Sequence, residues 1–196
     1  SEAVVDQPVT YRSSGLAQET GVSGIVYHIM GINGATCASF STPENLHAVA
    51  GLDPDLIIVS FGTNEAHGRN YSAEEHRRQL TSFFTELKNR CPHAAFLLTT
   101  PPGAYMRSGR RGKTINTRTP RVVETEKRFA ADNGLALWDL YDIAGGQERA
   151  CRNWTAANMF QRDRIHFTQE GYVLQGLLLH EAFIKAYNDY VATKLD

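Results

Sequence analysis

The segment Asp163-Arg164-Ile165-His166 sets an acid three residues before a histidine, and Phe167-Thr168 then leads into an apolar helical stretch. One turn of chain at that spacing can bring a carboxyl onto an imidazole. This is how a catalytic base is held in one tautomer and its cation stabilised. Upstream, the apolar run Leu56 to Phe61 ends in Gly62-Thr63-Asn64-Glu65, and the run Ile25 to Met30 is followed by Gly31-Ile32-Asn33-Gly34-Ala35-Thr36. Gly34 can offer a backbone N–H, and Asn64 a side-chain N–H, to an oxygen on which negative charge develops. Taken singly, an Asp-x-x-His is commonly a cap or an ion pair, Asn64 a turn residue and Gly34 a tight bend. Their joint order, each at a strand end or a helix start, points instead to acyl transfer with His166 as base, Asp163 as its orienting acid and Gly34 and Asn64 as oxyanion donors. No serine follows a buried strand in the sharp turn that a nucleophile needs; Ser13 and Ser14 are the nearest candidates, and neither has that context.

Length and composition narrow the setting. The chain has 196 residues, enough for one domain with a real core, and 20 Lys and Arg balance 21 Asp and Glu, so net charge predicts no nucleic-acid partner. The basic run Arg107 to Lys113 is local and interrupted by glycine, which reads as a solvated loop. No apolar stretch reaches membrane-spanning length; Tyr172 to Leu179 is broken by Gln175 and Gly176. Cys37, Cys91 and Cys151 sit at no metal-ligand spacing and read as small buried thiols. The opening Ser1-Glu2-Ala3 suggests a processed or truncated product.

The elements that must position these residues follow from periodicity. Residues 1–22 read as a linker or the tail of an upstream segment, with strand-like material only in Ala3 to Tyr11, and 23–196 as one domain. Buried strands are expected at Ile25 to Met30, Leu56 to Phe61, Ala95 to Thr100 and Leu135 to Leu140. Helices are expected over Ser72 to Arg90, with Leu80, Phe83, Phe84 and Leu87 on one face, over Pro120 to Asn133, and from Gln169 to about Tyr190 behind Thr168 as N-cap. A polar loop from Gly103 to Thr119 and a loop-rich stretch from Ile143 to Arg162 complete the plan. Glu65 is expected to cap its own turn or bond neighbouring backbone. Trp154, Tyr71 and Tyr105, on loops, are candidates for an aromatic platform under a sugar. Strands alternating with helices give an α/β sandwich with a parallel sheet.

These motifs resemble the SGNH hydrolases, the GDSL-type esterases and lipases, over roughly residues 22–190. That family's sequence blocks supply in order a Ser, a Gly, an Asn and a His. Asn33-Gly34-Ala35-Thr36 matches the second block, Gly62-Thr63-Asn64-Glu65 the third and Asp163-Arg164-Ile165-His166 the fourth. Glu65 stands where the family usually has Asp, and the first block, Gly-Asp-Ser after a strand, is absent. More narrowly, the chain looks like bacterial secreted members in which an inserted β-domain separates the first block from the rest.

The resemblance implies a flavodoxin-like three-layer sandwich with strand order 2-1-3-4-5 and its first strand missing from this chain. That strand would lie between residues 25–30 and 56–61, because two buried strands cannot be left unpaired. An N-terminal fragment of the same protein is the expected filler. A fold-back of Ala3 to Tyr11 is the alternative, disfavoured by Pro8. The implied activity is hydrolysis of small acyl esters, acetyl above all, on carbohydrate or cell-wall glycan, by a secreted or periplasmic protein and with no metal or organic cofactor. The competing class is a non-catalytic carbohydrate-binding module that keeps the scaffold without the nucleophile. A phosphate-handling protein is disfavoured, since no glycine-rich phosphate loop follows the first strand.

Overall fold

The computed structural model describes residues 9–10, 26–110 and 112–195. In chain order its elements are β1 (Val9–Thr10), β2 (Met30–Gly31), α1 (Cys37–Phe40), α2 (Pro43–Ala50), β3 (Leu56–Ser60), α3 (Thr63–His67), α4 (Ala73–Arg90) and β4 (Ala95–Thr99). They continue as β5 (Tyr105–Ser108), β6 (Gly112–Ile115), α5 (Thr119–Asp132), β7 (Ala136–Trp138), α6 (Leu140–Ile143), α7 (Gly146–Ala156) and α8 (Gln169–Leu195). β3, β4 and β7 form a parallel sheet in that order, with Leu56 opposite Ala95, Ser60 opposite Thr99 and Thr99 opposite Trp138. β-Branched residues in β3 and β4's run of large apolar residues suit pleated, packed strands. Their C-terminal ends carry the turns that bear the chemistry.

Helices flank the sheet. α4 starts behind Ser72, whose hydroxyl accepts the Glu75 N–H at 3.3 Å. It buries Leu80, Phe83, Phe84 and Leu87 against Phe40, Leu46, Val59, Leu98 and Phe129. Each such side chain contributes about 1.5–3 kcal/mol relative to exposure, so this cluster anchors the fold. A second cluster joins Val123, Trp138, Leu140, Tyr141, Trp154 and Phe167 to Leu174 and Leu178 of α8. α8 begins where Thr168 Oγ1 accepts the Gly171 N–H at 3.1 Å. Among the described residues no helix is long and apolar enough to cross a membrane.

Four local expectations are corrected. Of the run Ile25 to Met30, the described residues 26–30 are not a strand of the parallel sheet; among them only Met30 lies in a named strand, β2, which pairs antiparallel with β1. Val26, Tyr27 and Ile29 are exposed, so the run lacks the cover that a doubly buried strand needs. β3 is buried on one face only, with Leu56 at 43 % and Ile58 at 36 % exposure, and among the described residues nothing pairs with its free edge. The polar stretch from Gly103 to Thr119 contains a hairpin, Tyr105 opposite Ile115 and Arg107 opposite Lys113. Within Ile143 to Arg162 lies α7, whose Ala150 and Trp154 join the second cluster while Cys151 is buried beside Ala104. Gly145 there, at φ 117°, is a helix N-cap rather than a loop interior. Ser13 and Ser14, and all of Ala3 to Tyr11 except Val9 and Thr10, lie outside the described residues.

Candidate active site

The loop from Met159 to Thr168 is pinned at its base and carries Asp163 and His166 at its tip. Thr168 N–H donates to Met159 O at 2.7 Å and Gln161 N–H to His166 O at 2.8 Å, while the Phe160 and Phe167 rings stack with centroids 4.6 Å apart. Arg164 takes φ 57°, a left-handed turn that costs a non-glycine residue about 1–2 kcal/mol. Asp163 holds it there: Oδ1 accepts the N–H groups of Ile165 at 2.9 Å and His166 at 3.0 Å, and Oδ2 lies 2.6 Å from His166 Nδ1. A carboxylate only accepts, which assigns the proton to Nδ1 and leaves the lone pair on Nε2. The imidazole is 55 % exposed, so Nε2 is open to an incoming group. Partial burial pushes the Asp163 carboxyl up, but the His166 ring and the two backbone N–H groups more than offset it and hold it down at about 2.

A second cluster gathers the other two candidates. The Glu65 carboxyl accepts the Cys37 N–H on Oε1 at 2.6 Å and the Gly62 N–H on Oε2 at 2.8 Å. It therefore ties the start of α1, just past the Gly34 turn, to the end of β3. The expectation that Glu65 bonds its own turn covers the Gly62 half of this; the reach to Cys37 has no signal in local spacing. Across the same junction Asn64 Nδ2 donates to Ala35 O at 2.7 Å, which leaves its other amide hydrogen uncommitted. Gly34 sits at φ 72° with nothing within 4 Å of the point where a Cβ would stand, so its backbone borders open space. Gly62 is the opposite case: a Cβ there would lie 2.8 Å from Glu126 Oε1 and from Pro101 Cδ. Glu126 and His76 are fully buried behind it, 3.9 Å apart. Burial, with the Glu65 and Asp139 charges, raises the Glu126 carboxyl well above its usual range, and burial lowers His76.

Tyr105 joins the two clusters. Its N–H donates to Arg164 O at 2.9 Å, and its carbonyl lies 3.1 Å from His67 Nε2, while His67 Nδ1 lies 2.7 Å from Thr63 O. The helix that carries Asn64 and the loop that carries His166 thus share one main-chain residue. Sequence reasoning missed this because it is backbone work. The aromatic platform is not formed: Tyr105 and Trp154 are buried, Trp154 Nε1 donates to Pro102 O at 2.9 Å, and the Tyr71 hydroxyl is taken up by Thr125 at 2.8 Å.

The sequence matches the model of the GDSL-like lipase/acylhydrolase family over residues 4–174. The chain belongs to that family. No curated protein matches it. Among solved structures, a peptidoglycan O-acetylesterase is 24 % identical with a TM-score of 0.73, over 82 % of this chain and 46 % of its own. A GDSL-like lipase from Bacteroides thetaiotaomicron is 22 % identical with a TM-score of 0.60, over 87 % of this chain and 79 % of its own. An acetyl xylan esterase is 17 % identical with a TM-score of 0.57, over 76 % and 78 % respectively. The chain thus spans about half the length of the peptidoglycan O-acetylesterase, and it shares with all three the mixed α/β fold of the family, a parallel sheet flanked by helices.

Two measurements check this geometry. Glu65→Gln keeps the volume but offers one oxygen where two N–H groups need acceptors. It should lower stability in urea by about 1–3 kcal/mol and speed amide exchange at Cys37 or Gly62; a change within about 0.5 kcal/mol with unaltered exchange would contradict the tie. Carbon-detected NMR should place the Asp163 titration near pH 2 against an ordinary 3.8, and His166→Ala should move it up. The sign follows from a depressed folded-state value. The stabilisation is complete above the unfolded value and is lost as pH falls through about 2. A midpoint unmoved by His166→Ala would mean that the bond does not form.

Proposed function

We infer that the chain supplies the acid–base pair and the oxyanion donors of a serine acylhydrolase that removes small acyl groups, acetyl above all, from a carbohydrate or cell-wall glycan. The observation that carries this is the 2.6 Å bond from Asp163 Oδ2 to His166 Nδ1 beneath an exposed ring whose Nε2 has no partner among the described residues. In the reaction, a serine hydroxyl attacks the acyl carbonyl while His166 Nε2 takes its proton. Asp163 stabilises the imidazolium through Nδ1. The Gly34 N–H and the uncommitted Asn64 amide hydrogen stabilise the oxyanion, each donor contributing about 3 kcal/mol. His166 then returns the proton to the leaving alkoxide, and water repeats the sequence on the acyl-enzyme.

The serine is proposed to come from an upstream segment of the same protein, whose strand and Gly-Asp-Ser turn would pair with the free edge of β3. The exposed apolar side chains Leu56 and Ile58, together with Val26 and Ile29, support that reading, since covering them would complete the core. Kinship with enzymes that act on peptidoglycan and xylan supports a glycan ester and action outside the cytoplasm.

The 196-residue chain alone should not hydrolyse p-nitrophenyl acetate, and the protein carrying its upstream segment should. In the latter, His166→Ala should lower kcat by about 10⁴-fold or more and Asp163→Ala by less. Turnover by the isolated chain that is lost on changing Ser13 and Ser14 would overturn the assignment of the nucleophile. No turnover even with the upstream segment would favour the non-catalytic binding module.

A further inference from the structure

The stretch from Pro101 to Val123 holds six Arg and Lys residues and no Asp or Glu. Two of these cations lie on the strands of the β5–β6 hairpin, where Arg107 stands directly opposite Lys113. Opposed residues of an antiparallel pair share one face, so two like charges are held side by side, next to Tyr105 and Ile115 on the same face. That face is turned to the His166 loop. Lys113 Nζ donates to Arg162 O, and the Arg164 guanidinium lies over the Tyr105 ring at 5.0 Å. Arg107, Lys113, Arg162 and Arg164 are all exposed.

Elsewhere on the surface Lys88, Arg152 and Lys194 have no acid partner among the described residues, while Arg77, Arg78, Arg90, Lys127, Arg128 and Lys185 each pair with an acid. Among the described residues none of the four cations of the strip does. The nearest acid in sequence, Asp163, is committed to His166. Opposed like charges weaken a hairpin unless an anion lies against them. The strip also ends two residues from His166, where the ester must sit.

We propose that this strip binds the alcohol portion of the substrate, and that this portion is an anionic glycan bearing carboxylates; the inference deepens the acyl-ester reading and rests on it. Planar guanidinium groups match carboxylates in geometry as well as charge. A neutral sugar would call for an exposed aromatic surface on the strip itself, and Tyr105, the aromatic residue of the hairpin face, is buried, while the exposed Tyr172 stands on α8 against Phe167. The same lack disfavours single-stranded nucleic acid, whose bases need stacking platforms.

The test uses the full-length natural protein with His166→Ala, so that ligand is bound and not consumed. Affinity electrophoresis through polygalacturonic acid, through a neutral xylan and against a thymidine oligonucleotide supplies the three arms. Retardation by polygalacturonic acid alone is expected, weakening about tenfold or more between low salt and 0.5 M NaCl as screening shortens the reach of the charges. Arg107→Gln, which removes an exposed side chain and no bond, should weaken it severalfold, and adding Lys113→Glu should abolish it, with circular dichroism confirming the fold. Arg128→Glu, a reversal of charge on α5 larger than that of Arg107→Gln alone, should leave it intact. Equal retardation by xylan, tighter binding of the oligonucleotide, or undiminished binding in the folded double variant would overturn the proposal. Because every arm reads binding, a wild-type protein that fails to hydrolyse p-nitrophenyl acetate counts against the acyl-ester reading and not against the strip.

Discussion

The tie made by Glu65 is the constraint on which the rest of the candidate site depends. Two buried N–H groups, one at the start of α1 and one at the end of β3, share its carboxyl at 2.6 and 2.8 Å. A buried N–H without an acceptor costs about 1–3 kcal/mol, so the two chain segments are held to one geometry. That geometry places Asn64 against Ala35 and opens the Gly34 backbone to solvent. It also explains the departure from aspartate at this position, because a shorter side chain bonded to Gly62 would have less reach toward Cys37. Gly62 has no room for a side chain on this path, with Glu126 and Pro101 already against it.

From this junction the order passes outward through main chain. His67, on the same short helix as Asn64, meets the Tyr105 carbonyl, and the Tyr105 N–H meets Arg164 in the loop of the acid–base pair. The strained turn at Arg164 is sustained by three acceptor bonds of Asp163, so the residue that orients His166 also builds the loop that presents it. Preorganisation of this kind lets hydrogen-bond donors act on a charged transition state without reorganising. A hairpin docked on the same loop sets Lys113 and the Tyr105 ring against Arg162 and Arg164.

Much of the fold was legible in the sequence where local pattern and tertiary burial agree. The helical spacing of Leu80, Phe83, Phe84 and Leu87 and the apolar runs of β3 and β4 describe their elements closely. The hairpin was not legible: Tyr-Met-Arg-Ser and Gly-Lys-Thr-Ile lack alternation of apolar and polar residues, and the pairing is fixed by docking on a distant loop. α7 was hidden by Gly145-Gly146, which reads as a loop but serves as a left-handed helix start, and its buried face of Ala150, Cys151 and Trp154 is too short to show a period. In the site, Asp163 and His166 could be read together because three residues separate them. Gly34 and Asn64, far apart in the chain, could be related only by their matching places after apolar runs and by family resemblance, and the roles of Tyr105 and His67 run through main-chain groups that any residue carries.

The central claim is that the acid–base pair and the oxyanion turns of this chain serve a serine that lies upstream of it. A fluorophosphonate probe tests this most directly, since an activated serine displaces fluoride and keeps the phosphonyl group as a covalent tag that mass spectrometry can locate. Labelling of the full-length natural protein should put one tag on a serine upstream of Ser1, and His166→Ala should remove it. A tag on a serine within these 196 residues, or one indifferent to His166→Ala, would contradict the account.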